Sequence, residues 1–464
     1  MEPMTSTVVR PAAPNGPAPE PGVPTPPPET ARSGLAGLLD LPAAAVRGVV
    51  RSARTTPGLL TLIAVGLVAL TLLTGVVGSI MAQQKKNTTE DLISHREPLT
   101  AAAQEVYRSL SDADATASIA FLITGPEPAE LRGRYDADIA RAGSALARAA
   151  QEATGDAADK VNLISQQLPA YTGLVERARA NNLQGYPVGA AYLQEASNLM
   201  RTKILDAAGT LYQLDVAELE AQQSDASSIP WFTAVLLLAS LAALVVTQRY
   251  LTRRTNRLLN VGLVVATVAM GLVLLWGSAA LVVQGLLVGS GRDDGSHPVD
   301  VLIQARGAAV QARGDETLTL VSRGGGAEYE TTFQQLAPMF TNMLHEAKGL
   351  LDGEAANQVQ TAIDNADKWL STHKEVRAKD DGGDYVDAVK DAVDPSRPNN
   401  AETLFSNLDT ALGKAIDNGR QTFVDKTNEG ENALILLAPG VAALTLVAAG
   451  GVTIGIRDRL REYR

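Results

Sequence analysis

Apolar residues along this chain are gathered into blocks rather than spread evenly. Gly58 to Ala82, Trp231 to Thr247, Val261 to Gly289 and Ala433 to Ile456 contain no Asp, Glu, Lys, Arg or His. A charge-free apolar run of about 18 residues or more marks a bilayer-spanning helix, because at ~1.5 Å per residue it covers the roughly 30 Å hydrocarbon layer. Only the second run is short for this, and Ile229 and Pro230 extend it. The first run is too long for a secretory signal peptide, follows a long polar segment, and ends at Ile80 and Ala82, a poor small-x-small cleavage site; it reads as an uncleaved anchor.

The segments between spans carry a different period. Ala103, Val106, Leu110, Ala113, Ala117, Ala120 and Thr124 alternate in steps of three and four, the heptad seam of a helix packed into a bundle or coiled coil. Gly125, Pro126 and Pro128 stop this helix and start the next, as Gly at a C-terminal cap and Pro in a first turn do. Thr154 to Asp156 make a second break, with Asp159 placed for N-terminal capping, and Asn182, Gly185 and Pro187 make a third. Three breaks give four helices, and an up-down bundle of four returns the chain to the side where it began. In the next large loop Gly324 to Gly326, Gly353, and Asp381 to Gly383 break the chain correspondingly, and its fourth helix follows Pro395 and Pro398 and starts near Asn399 or Asn400. The expected fold is an all-α membrane protein with four transmembrane helices and two tandem extracytoplasmic four-helix bundles.

Charge orients this plan. Residues 83–228 hold 13 basic and 20 acidic groups and residues 290–432 hold 14 and 25, so the acidity behind the formal net charge of −11 sits in the two large loops. Arginine flanks the spans on the other side: Arg47, Arg51 and Arg54 before the first, Arg249, Arg253, Arg254 and Arg257 between the second and third, and Arg457, Arg459, Arg461 and Arg464 after the fourth. The positive-inside rule makes those short segments cytoplasmic, so both termini are inside the cell membrane and both loops outside. The resulting organisation has a cytoplasmic segment over 1–56 and spans over 57–82, 230–248, 261–289 and 433–456. Loop domains occupy 83–229 and 290–432, a cytoplasmic joint 249–260 and a tail 457–464. Within the first segment, residues 11–28 are Pro-rich and unable to bury a core; they read as an extended linker, with PxxP docking to a partner as the alternative. Residues 43–54 form a short amphipathic helix suited to the inner leaflet, with Arg47, Arg51 and Arg54 on one face.

The order span, loop, span occurs twice, and residues repeat with it. Asp114, Thr116, Gly125 and Glu127 recur 201 positions later as Asp315, Thr317, Gly326 and Glu328. At an offset of 198, Arg179, Ala180, Gly185, Val188 and Ala190 recur as Arg377, Ala378, Gly383, Val386 and Ala388, with Tyr171 answered by Trp369. Internal duplication explains the matches; coincidence between two Ala-rich helical segments is the alternative.

Recognisable catalytic chemistry is missing. There is no cysteine, hence no disulfide, thiolate metal site or cysteine nucleophile. His95, His297, His345 and His373 lack paired ligand spacing and read as surface residues; His345 and Glu346 open an H-E-x-x-H string that Leu350 and its neighbours do not complete. Gly324 to Gly326 lack the Lys and Ser/Thr of a phosphate loop. The pairs Asp112 with Asp114, Asp136 with Asp138, and Asp380 with Asp381 have no calcium loop around them and read as solvated helix faces or turns. The spans carry no charge that would mark an ion pathway, and Gly451 and Gly455 form a small-xxx-small face fit for helix packing. No enzyme activity, cofactor, metal or nucleic-acid partner is expected.

Asp112 to Glu127, and the stretch Tyr171, Glu176, Arg179, Gly185, Pro187, Ala190, resemble in kind the four-helix-bundle sensor modules of chemoreceptors and sensor kinases, which sit between two spans. No HAMP linker, kinase or methylation region follows either span, so output must pass through a partner. Over the whole chain the duplicated plan with a Pro-rich head resembles GlnX-type proteins of actinobacteria. That resemblance implies a non-enzymatic transmembrane sensor coupling an extracytoplasmic amino-acid-binding lipoprotein to a cytoplasmic Ser/Thr kinase, with homo-oligomers possible. An envelope scaffold and an accessory transporter subunit are the alternatives.

Overall fold

A computed structural model describes residues 56–123, 126–228, 230–255 and 260–461; the Pro-rich stretch, the amphipathic segment, Arg51, Arg54 and Arg257 lie outside them. Helix α1 (Thr56–Asp91) carries the first span, and a π-helical turn (Leu92–Arg96) joins it to α2 (Glu97–Leu122). Then follow α3 (Ala129–Glu152), α4 (Asp156–Leu183), α5 (Val188–Leu199), a π-turn (Met200–Ile204), α6 (Leu205–Ser227) and α7 (Trp231–Thr255). The second half repeats the order: α8 (Val261–Gly291), a π-turn (Arg292–Ser296), α9 (His297–Val321), α10 (Ala327–Leu350), α11 (Gly353–Asp381), α12 (Tyr385–Val393), α13 (Ala401–Leu434) and α14 (Leu437–Arg461). The described residues contain no strand, and four helical segments are long and apolar enough to cross a bilayer, so the chain is an all-α, multi-pass membrane protein.

The two entry helices run on from their spans into the bundle. Gly58–Leu122 and Val261–Val321 run unbroken for 65 and 61 residues, about 90–100 Å at the α-helical rise. Each widens into a π-turn just before a proline, Pro98 or Pro298. Proline has no N–H to donate and its ring crowds the carbonyl four residues back; a wider turn relieves that clash without ending the helix. In the other two segments the α-helix ends at Ser227 and Leu434 and resumes at Trp231 and Leu437.

Packing starts from α2 and α9. The heptad seam of α2 is buried, with Ala103, Val106, Leu110 and Ala113 at 0% exposure. Its opposite face is buried as well, because α2 lies against α9, which is itself buried almost all round from Pro298 to Val321. Where the sequence suggests two bundles in tandem, the structure merges their cores into one apolar cluster drawn from both halves. Glycines on α9 permit the close approach: a Cβ on Gly307 would lie 3.1 Å from the Tyr107 ring. In the second half Trp369 packs against Phe333, Phe340 and Phe405, with ring centroids 5.2–5.7 Å apart.

Among the spans, Gly451 and Gly455 of α14 meet Gly262 of α8 backbone to backbone; a Cβ on Gly262 would stand 2.6 Å from the Gly455 Cα. The small-residue face seen in the sequence is thus the seam of the α8–α14 pair. Asn260 caps α8 through Gly262 and Leu263 and donates to the Gly455 carbonyl at 2.7 Å. Thr74 and Ser240 share a 2.6 Å hydrogen bond between α1 and α7. At the bundle end, the Gln284 amide of α8 donates to Thr89 of α1 and to the Ala226 carbonyl, tying three rods together.

Three local expectations are corrected. Asp159 makes no side-chain cap: Gly155, at φ +54°, is the N-cap of α4, and the main chain turns there without a carboxylate. The second half has an additional short helix, α12, held by an Asp384 N-cap, before Asn400 caps α13. His373 is buried, at 4% exposure, while His95, His297 and His345 are exposed.

Candidate functional site: a charged seam and the cleft above it

Several buried charges occupy the line where the halves meet. Asp114 of α2 and Asp315 of α9, the pair related by the 201-residue offset, lie on either side of Arg201. Arg201 belongs to the π-turn between α5 and α6, and its side chain reaches α9 at Asp315. Its guanidinium donates to Asp315, which is fully buried, while Asp114 accepts from Ser197 Oγ at 2.9 Å. Gly314 leaves room for the cation, since a Cβ there would stand 2.7 Å from Arg201 Nη2. Burial pushes both aspartates above the usual carboxylate range, and Arg201 pulls both back. Asp315 Oδ2 and Arg201 Nη2 keep no partner, so the node is incompletely satisfied.

A second network fills the interior of the second half. Arg313, 1% exposed, donates to Glu316, to Glu402 at 3.1 Å and to the Ala392 carbonyl at 3.3 Å. Glu316 also accepts from Trp369 Nε1 at 3.1 Å and pairs with His373 Nδ1 at 2.9 Å. The imidazole stacks on Phe333 and reaches Glu330 with its other nitrogen at 3.2 Å. Burial opposes charge on His373, but Glu316 and Glu330 outweigh it and hold the ring's pKa up at about 9. Burial likewise opposes ionisation of Glu316, yet Arg313 and His373 hold it down at about 2.

Residues singled out in the first loop also converge. Arg179 donates to Glu127 at 3.0 Å and to Glu176 at 2.8 Å, and its guanidinium lies 4.2 Å from the Tyr135 ring centroid. Tyr171, fully buried, stands beside Asp114, which together with burial raises its phenol. The acidic pairs are not solvated as a whole: Asp114 and Asp138 are buried, Asp138 bound to Arg141, and Asp380 holds Arg377. Among the described residues no cluster of acidic or histidine side chains is arranged to hold a metal ion. Of the orienting arginines, Arg249, Arg253 and Arg457 are exposed on their helices; Arg254, Arg459 and Arg461 lie in α7 and α14 with side chains outside the described set.

Above the seam, at the end of the bundle away from the spans, a cleft of about 870 Å³ opens between the halves. The first half contributes the end of α2 and the start of α3, and the second half the end of α9, helix α12 and the start of α13. Arg134 of α3 crosses it to Glu402 of α13 at 3.3 Å, and Glu402 is also the carboxylate that meets buried Arg313. A narrower cavity of about 440 Å³ lies within the first half, against Arg132, Glu176 and Arg179.

Residues 88–224, which comprise the first loop domain from the end of α1 to α6, match the family model described as an actinobacterial sensor domain. No curated protein and no solved structure matches the chain. The match supports a sensor or signalling role for the protein.

Proposed function

We propose that this protein is a transmembrane sensor whose two loop domains lie outside the cytoplasm. In this reading it couples an extracytoplasmic ligand, or an amino-acid-binding lipoprotein, to a cytoplasmic effector such as a Ser/Thr kinase, as GlnX-type proteins of actinobacteria are thought to do. One observation carries it: the helices of the bundle are the spans themselves, α1 with α2 and α8 with α9 each forming one uninterrupted rod. Packed helices shift between discrete arrangements by about 1–2 Å, and a rigid rod delivers such a shift to its far end. The match of residues 88–224 to a sensor domain supports the role, and the exposed Arg249, Arg253 and Arg457 support the orientation. We also infer that the halves arose by duplication. The π-turns lie 200 positions apart, starting at residues 92 and 292, and each is followed by proline as the second residue of the next helix.

Two experiments test this. Topology reporters after residue 256 or 464 read as cytoplasmic and those within 130–220 or 330–420 as exported; an exported signal at 256 overturns the orientation. A Gly-Ser-Gly-Ser insertion between Gln83 and Thr88 leaves folding and outside binding intact and abolishes the response of an inside partner recovered by cross-linking from membranes. A response at wild-type strength rules out transmission through α1.

A further inference from the structure

We propose that the cleft between the halves is a ligand site for a small amphipathic monocarboxylate. The inference deepens the sensor reading and rests on it for what binding accomplishes.

Its size comes first. The cleft encloses about 870 Å³, and clefts of roughly 300–1,000 Å³ are those that hold small molecules. Helix α12 supplies one wall: Tyr385, Val389 and Val393 recur every four residues and so share a face, and Ile119 and Leu131 of the first half also line the cavity. An apolar body therefore has surface to cover.

Its cations come next. Arg134, Arg323 and Lys390 line the cleft with Glu130, Glu402 and Asp394, so the lining as a whole is neutral. Arg134 is engaged by Glu130 and Glu402, and Asp394 is taken up by the Ser396 amide and hydroxyl. Arg323 makes no ion pair with a carboxylate among the described residues, and its guanidinium rests 5.0 Å from the Tyr385 ring centroid; Lys390 makes none either, although its charge acts on Asp394. Two cations outside any ion pair, one of them already facing Asp394, suit one negative charge. A phosphate dianion would bring its second charge against Glu130, Glu402 and Asp394.

The backbone supplies an independent sign. Arg323 has φ +43°, the one positive value at a non-glycine among the described residues. That conformation costs about 1–2 kcal/mol for a residue with a Cβ, and three glycines follow directly, so a cheaper residue type was at hand. Strain of this kind gathers at ligand sites, where the fold holds a side chain in place against its own preference. The loop is pinned accordingly: Gly325 N–H donates to the Ser322 carbonyl at 3.0 Å, and Gln194 of the first half donates to Ser322 Oγ at 2.9 Å. The Arg323 side chain is itself exposed, and the Tyr385 ring is the group its guanidinium rests on.

The place of the cleft gives the ligand leverage. It touches both halves beside the Arg134–Glu402 bridge, so a ligand that fits one arrangement of the halves better than another shifts their balance.

The test is calorimetric titration of the full chain in nanodiscs with isovalerate, 4-methylvalerate, N-acetyl-L-leucine and N-acetyl-L-leucyl-L-leucine, each paired with its neutral amide. Saturable binding of at least one carboxylate and not of its amide, weakened about tenfold or more in Arg323→Gly, supports the site. Glycine removes the strain at this position, and circular dichroism verifies that the variant is folded; Lys390→Met gives a second reading without touching the loop. No binding by any carboxylate up to about 10 mM, a range that reaches interactions of only ~3 kcal/mol, overturns the proposal. So does equal binding of the amides, binding undiminished in both variants, or equal affinity for inorganic phosphate. These outcomes leave the Gln83–Thr88 insertion test untouched, and an insertion without effect would rule out transmission through α1 while leaving the site.

Discussion

Replacing Arg201 by Met asks how much the seam depends on the cation between Asp114 and Asp315. Met keeps an unbranched apolar stem, so packing around the π-turn persists and the charge alone is lost. What remains is Asp315, fully buried, and Asp114, 5% exposed, on helices that pack against each other. Stripping the partner from a buried ion pair costs about 3–5 kcal/mol, because the surviving charge stays desolvated. For a folded unit of this size that corresponds to a fall in melting temperature of roughly 5–10 °C. The loss depends on pH with a definite sign. Both aspartates already titrate above the ordinary value of 3.8, so the folded chain holds protons there that the unfolded chain has released. Each therefore subtracts stability as pH rises from the unfolded value through the folded one. Without Arg201 the folded values climb further, so the variant is hurt most near neutrality and recovers toward about pH 4, near the ordinary Asp value. Asp315→Asn, which leaves Arg201 with Asp114, costs less, about 1–2 kcal/mol. Thermal unfolding of the detergent-solubilised chain, followed by circular dichroism at pH 7.5 and near pH 4.5, reads both. An Arg201→Met variant as stable as the parent at pH 7.5, or hurt more in acid than at neutrality, would refute the assignment of the seam as an ion-paired node.

Gly314→Ala pushes a Cβ to 2.7 Å from Arg201 Nη2, so it costs about 1 kcal/mol in the parent. In an Arg201→Met background the cost disappears and the better helix propensity of Ala shows as a gain of up to ~1 kcal/mol; equal effects in both backgrounds would dissociate Gly314 from the cation. His373, its pKa raised to about 9, contributes stability that is full below 6.5 and lost as pH rises through 9. Melting curves between pH 6 and pH 10 should therefore fall more steeply for the parent than for His373→Gln, and parallel curves would contradict a buried imidazolium. Gly262→Val meets backbone of α14 that cannot rotate away, and destabilises the α8–α14 pair by about 3 kcal/mol or more in detergent unfolding; a neutral effect would mean that the pair does not pack through these glycines.

The spans and the helical loops were legible because their signals are local. A charge-free run has to lie in lipid, and a heptad seam such as Ala103 to Ala120 has to be covered. What covers it was not legible. A heptad stripe implies one dry face and one wet face, and on that premise Asp114, Asp138, Asp315, Glu316 and His373 belong to the wet side. In fact α2 and α9 lie in the middle of the assembly and are buried around most of their circumference, so their charges pair across helices that are far apart in the chain. One clue was present: Arg306, Arg313, Asp315 and Glu316 are set among Leu, Val and Ala with no clean helical period, as in a helix enclosed on all sides. Helix α12 was masked by the breaks around it, although Tyr385, Val389 and Val393 keep helical spacing. The π-turns had a signal too, in Pro98 and Pro298 standing inside otherwise continuous helical patterns. The cleft had none, since it is formed by residues from both halves.

The two halves share a plan but not a packing, and the difference bears on which of them can move. In the second half the π-turn is clamped: Gly295 lies so close to α13 that a Cβ would come within 2.9 Å of the Phe423 Cβ and 3.0 Å of the Gly419 carbonyl. Above it the interior is filled by Trp369, three phenylalanines, and the Arg313–Glu316–His373 chain, a dense core in which any shift leaves an aromatic ring or a charge without its partner. The first half has Tyr171 where the second has Trp369, by the 198-residue offset. It also retains a cavity of about 440 Å³. A helix that loses few contacts on moving moves at lower cost. The less tightly packed half is the one that matches a sensor domain, and Arg201 binds it to the denser half at Asp315, so a displacement of the first half has a rigid body to work against.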